Sequence, residues 1–156
     1  MTRQTPDRRE LHFSSMADIV EDVEYLAAGD PPRSAGNWTS AQIVEHVGRI
    51  IDASIEGFPT PKAALPLRFI AWLFRRIVLT RPMQPGIKLP PKFEALLPDH
   101  GIIWDDAVDR FRAVHNKLAT RQMTQPSPVF GRLSHQQWEQ LHCRHAEMHF
   151  SFMHPA

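Results

Sequence analysis

Apolar residues recur at three- and four-residue intervals along four long stretches of the chain, and each stretch predicts a helix. In the first, Ile19, Val20, Val23, Leu26 and Ala27 share one face. Ser14 or Ser15 is suited to cap its start, and Gly29 with Pro31 and Pro32 stops it. The second begins at a capping box, Thr39 with Gln42, flanked by Trp38 and Ile43 at the positions of a hydrophobic staple. Its stripe runs through Ile43, Val47, Ile50 or Ile51 and Ser54, and Gly57 and Pro59 close it. The third is expected from Asp105, as N-cap, to Arg121, on the period of Ala107, Val108, Phe111, Val114 and Leu118. The fourth repeats the grammar of the second, with Ser134 and Gln137 as capping box and Leu133 and Trp138 as staple.

Between the second and third helices the pattern is less regular. Pro66 to Thr80 predicts a short amphipathic helix carrying Phe69, Ile70, Trp72, Leu73, Phe74 and Ile77. Pro82 to Pro98 then reads as a loop of about seventeen residues, a length usually reserved for function or disorder. Residues 1–13 form an ordered or half-ordered lead-in. No stretch alternates as a strand does. The fold class predicted is all-α: an antiparallel four-helix bundle with an extra short helix and a long loop between helices two and three, in a single domain over residues 1–156.

The inward stripe of the fourth helix reads Trp138, Leu141 or His142, His145, Met148 or His149, and Phe152. His145 and His149 are four residues apart, so they lie on one face roughly 6 Å apart along the axis. Two imidazoles at that spacing can converge on one ion at 2.0–2.1 Å per bond. Both occupy places that a core leucine would fill, and a buried imidazole without a partner is costly. His46 stands in a similar place on the second helix. Metal sites in helical bundles are built from inward side chains of facing helices. His142 and His149 span roughly 10 Å, too far for one ion, so a third ligand must come from elsewhere and His46 is best placed. His142 is left to line the pocket or to support a ligand ring. The same pattern also fits polar core or cleft residues that hold no ion.

Three neutral imidazoles leave a coordination position open, as at catalytic zinc; nickel, iron and copper also accept imidazole. Glu45 and Glu147 adjoin the ligands in sequence but should project away from them. Cys143 should point away from His145 as an ordinary semi-buried thiol. Arg75, Arg76, Arg81, Lys88 and Lys92 form a loosely basic region, read as a solvated face, with a site for an anion or a thiol-cofactor carboxylate as the alternative. Trp72 and Phe74 are expected to pack on the bundle or to form a dimer interface, with a partner or membrane surface as the alternative. His12, His100, His115, His135 and His154 are expected at the surface.

Composition narrows the partners. The 156 residues carry a net charge of +1 with histidine neutral. No global field therefore favours nucleic acid or an anionic membrane. Leu65–Leu79, the most apolar run, is interrupted by Arg68, Arg75 and Arg76 and is too short to span a bilayer. The polar N-terminus does not resemble a signal peptide, and the single cysteine rules out an internal disulfide. A cytoplasmic location is expected.

Four blocks of the chain, RRELHF at 8–13, GNWTSAQIVEHVGRIID at 36–52, KLPPKFEALLP at 88–98 and PVFGRLSHQQWEQLHCRHAEMHF at 128–150, resemble one known pattern. It is that of the DinB-like superfamily of four-helix bundles, and within it the branch called domain of unknown function 1569. The resemblance covers nearly the whole chain in order. It implies one divalent metal, held by a histidine of the second helix and an H-x-x-x-H pair of the fourth, which map onto His46, His145 and His149. Met148 stands where related sequences often have another histidine. Some relatives in the superfamily are thiol-dependent transferases or isomerases that use bacillithiol or mycothiol. The expected function is a metal-dependent enzyme on a small molecule, working through activated water or a low-molecular-weight thiol. The rival expectation is a non-catalytic metal- or ligand-binding bundle that oligomerises, with a homodimer as the simplest form.

Overall fold

The structure, a computed structural model, describes residues 7–88 and 90–156. Residues 1–6 of the expected lead-in and Leu89 of the expected loop lie outside them. The described residues are mostly helical: α1 Met16–Ala27, α2 Ser40–Glu56, α3 Leu65–Thr80, α4 Trp104–Lys117 and α5 His135–Phe150, with a 3-10 helix at Pro91–Leu96. The β-strand content among them is one antiparallel pair of two-residue strands, β1 Arg33–Ser34 and β2 Met153–His154, joining the segment after α1 to the one after α5.

Local chemistry fixes the helix starts. Ser15, Thr39 and Ser134 each accept the N–H three residues on, and the residue there returns the bond: Asp18, Gln42 and Gln137. Each box satisfies two otherwise orphaned donors. The third predicted helix starts at Trp104, with Ile103 as N-cap, so Asp105 is not the cap. Asp105 and Asp106 instead sit in the first turn, where acidic groups meet the positive end of the helix dipole. That helix also stops at Lys117, because the N–H groups of Leu118, Ala119 and Thr120 each turn to the carbonyl three residues back.

α2 is the central element, packed against α4, α5 and the 3-10 helix. Its approach to α4 is close: a Cβ on Gly48 would stand 3.4 Å from Phe111 Cδ2. The core around it holds Ile19, Val44, Val47, Trp138, Phe150 and Met153, all almost fully buried. Residues 7–13 of the lead-in are held against the rest of the fold. Arg9 N–H donates to the Ser151 carbonyl at 2.7 Å, and the Arg9 guanidinium grips Asp22 with two bonds at 2.9 and 2.7 Å.

Two expectations change in the middle of the chain. The predicted loop contains the 3-10 helix, whose Phe93 and Leu96 are buried. α3 has sixteen residues, and most of its apolar side chains stay uncovered: Leu65 is 75% exposed, and Phe69, Ile70, Trp72, Leu73 and Phe74 are about half exposed or more. Helical periodicity says which residues share a face, and not whether anything covers it. No helix among the described residues is long and apolar enough to cross a membrane.

Candidate metal centre

α2 supplies His46, and α5 supplies His145 and His149. The two helices pack against each other, so inward positions on each meet. One nitrogen from each ring lies within 4.8 Å of the other two. The ring centroids are 5.1 Å apart for His46 and His145, 4.8 Å for His46 and His149, and 4.6 Å for His145 and His149. The three residues selected from the sequence therefore do converge.

The His46 Nδ1 lies 2.8 Å from the Leu96 carbonyl. A carbonyl only accepts, so Nδ1 carries the proton and Nε2 presents a lone pair. That Nε2 faces His145 Nε2 at 3.3 Å. Two nitrogens bonded to one ion at 2.0–2.1 Å in tetrahedral geometry stand about 3.3–3.4 Å apart. The observed spacing and the tautomer both fit a divalent ion. Leu96 thereby supplies the backing that metal-bound histidines usually have. His145 Nδ1 is enclosed and has no hydrogen-bond partner, so no carbonyl backs that ring as Leu96 backs His46. Trp38 covers the cluster, stacked on His149 at 5.4 Å with 9° between planes and edge-on to His46 at 4.9 Å.

The rings are uncharged at neutral pH. Loss of hydration pushes the His46 imidazole down from its ordinary 6.5 to about 4, against the bond to Leu96 that works the other way. Burial, reinforced by His46, takes His149 to about 3. Burial next to His149, His46 and His142 drives His145 well below its ordinary value. Neutral imidazoles are the form that binds metal.

His142 does not join the cluster. It is fully buried, stacked on Trp138 at 5.2 Å, with Nε2 3.1 Å from Ser54 Oγ. The Ser54 hydroxyl gives its own proton to the Ile51 carbonyl at 2.6 Å, so His142 Nε2 is the donor. His142 Nδ1 is then a bare lone pair with no partner, and burial lowers the ring to about 3. His142 and His145 both border a cavity of about 200 Å³ whose other walls include Phe58, Phe93, Val129, Phe130 and Trp138.

These depressed imidazoles carry a pH signature. Their folded values lie below the unfolded value, so the unfolded chain takes up protons first as the solution turns acid. The stability is present above pH 6.5 and drains as pH falls below it. For metal-free protein, urea unfolding at pH 5 should show a loss on the order of 2 kcal/mol for each of His46 and His142 relative to pH 7.

The carboxylates next in sequence to His46 and near His145 and His149 are committed elsewhere. Glu45 takes Arg49 at 2.6 Å, Arg110 at 2.8 Å and the Asp99 N–H at 2.7 Å. Glu147 takes the Phe13 N–H at 2.6 Å and Arg144 at 2.8 Å. Both point away from the cluster as expected, yet both are buried. Cys143 is buried more deeply than semi-buried, and burial pushes its thiol up to about 12. Of the histidines expected at the surface, His12 and His100 are exposed, whereas His115, His135 and His154 are half-buried. His135 Nδ1 accepts the Met123 N–H at 3.0 Å.

Sequence reasoning missed the Leu96 carbonyl, which is a main-chain atom with no residue signature. It read Trp38 as part of a helix start; an aromatic two turns before a ligand was the available signal for more. No curated protein and no solved structure matches the chain. A family match does cover residues 5–156, nearly the whole length, and it is to the family described as a protein of unknown function, DUF1569. The chain that carries this three-histidine cluster belongs to that family.

Proposed function

We propose that the chain is a single-domain, DinB-like four-helix bundle in which His46, His145 and His149 hold one divalent ion, of the zinc, nickel or iron kind. We take it to be a metal-dependent enzyme of hydrolase or thiol S-transferase type, with a small-molecule substrate and, for the second type, a low-molecular-weight thiol. The observation that carries the metal is the 3.3 Å approach of two imidazole Nε2 atoms, one of them held as a lone pair by Leu96. Such an ion supplies Lewis acidity toward oxygen or sulfur. The chain's own part is to orient three neutral rings, cover them with Trp38 and offer an apolar cavity against His145. That cavity favours a small, largely apolar substrate body.

A second reading, binding without turnover, is favoured by the engagement of Glu45 and Glu147 in their own ion pairs, which leaves neither as a free general base. Titration of metal-free protein with zinc tests what both readings share. Wild type is expected to take up one ion per chain. Failure to do so, or equal uptake by the double variant His46→Ala, His145→Ala, overturns the metal centre.

A further inference from the structure

An open groove of about 440 Å³ runs between α3 and the turn at 129–132. One side presents Leu65, Phe69 and Trp72, with the last two rings stacked 6.1 Å apart. Three arginines, Arg68, Arg75 and Arg132, line the same space, and no acidic residue does. Among the described residues none of the three forms an ion pair, although Arg9, Arg49, Arg110, Arg112, Arg121 and Arg144 all do. Arg68 Nε is enclosed without a hydrogen-bond partner. Arg68 also reaches the turn at Gly131. Gly131 has φ +72, and a Cβ there would stand 3.9 Å from Arg68 Nη2. Arg75 lies over the Trp72 ring at 5.8 Å, so the cations and the apolar wall form one surface.

Guanidinium groups without internal counter-ions, set against aromatic faces, suit an anion that carries an apolar body. We propose that this groove binds a small organic anion, a carboxylate or phosphate on an aromatic or aliphatic frame. Val129 and Phe130 wall both the groove and the cavity beside His145. The bound molecule is therefore placed on the approach to that cavity. In calling it the substrate class, the proposal rests on the metal-centre reading; binding in the groove does not.

The test is calorimetric titration of metal-free protein, so that loss of the metal centre and loss of the groove are read separately. The probes are 4-phenylbutyrate and phenyl phosphate, with 4-phenylbutanol as body without charge and inorganic phosphate as charge without body. One site per chain is expected for the two organic anions. The alcohol and inorganic phosphate should each bind at least tenfold more weakly. Arg75→Gln, at a half-buried position, and Arg132→Gln, at an exposed one, should each weaken the anions about tenfold or more. Whichever organic anion binds tighter supports the proposal and names the head group. No saturable binding overturns it, as does unchanged affinity in the double arginine variant. So does a stable dimer, dissolved by Trp72→Asp, that binds no anion in either form; the face then belongs to a second copy.

Discussion

Zinc affinity is expected to fall by about a hundredfold or more when His145 becomes alanine, and by a smaller factor when Trp38 does. Structural zinc sites with four protein ligands are worth about 10–16 kcal/mol, or on the order of 3 kcal/mol per ligand. Each 1.4 kcal/mol is tenfold in affinity. His145 is central to the cluster, since its Nε2 faces that of His46 and its ring edges that of His149. Trp38 bonds to no ion but touches two of the three rings. Groups that orient ligands in this way typically contribute about 10–100-fold. Competition against a chromogenic chelator measures both variants. A Trp38→Ala effect equal to that of His145→Ala would mean that packing, and not ligation, organises the site. No effect at His145 would remove that ring from the ligand set.

The second large effect is on stability. Glu147→Gln is expected to lower the unfolding free energy by about 3–5 kcal/mol, because it leaves Arg144 charged and enclosed without its partner. Glu147 and Arg144 have side chains only 8% and 10% exposed. The carboxylate also accepts the Phe13 N–H, while Arg144 donates to the Phe13 carbonyl. One residue of the lead-in is thus fastened to α5 by both of its main-chain groups. Urea unfolding at pH 7 should show the midpoint falling with little change in slope. The double variant Arg144→Leu, Glu147→Leu should recover part of the loss, since apolar replacement removes the stranded charge. A Glu147→Gln protein as stable as wild type would show that the pair contributes nothing net.

What could be read from the amino acids was what neighbours in sequence decide. The boxes at Thr39 and Ser134 depend on residues three apart, and both helices start where those residues place them. The three ligand candidates were legible because imidazoles at leucine-like positions are conspicuous, and because two faced helices bring such positions together. The start of α4 was not, since Ile103 caps it without any side-chain bond. The uncovered face of α3 was not, since periodicity is blind to the absence of a neighbour. The groove's arginines were dispersed in sequence: Arg68 and Arg75 are on one helix and Arg132 follows a turn more than fifty residues later. Only the fold gathers them, and the basic face read from Arg75, Arg76, Arg81, Lys88 and Lys92 shares just Arg75 with the groove.

The Leu96 carbonyl has a bearing on how this protein tolerates change. The oxygen that decides which nitrogen of His46 is free belongs to the peptide chain itself, at the end of a short proline-led turn. Any residue that preserves the path of that turn brings the same oxygen to the same spot. An alanine scan of side-chain identity would therefore pass over it. A change that merely bends the path, such as an insertion within 91–96, would free His46 to move its proton from Nδ1 to Nε2 and should lower zinc uptake, with every histidine still in place.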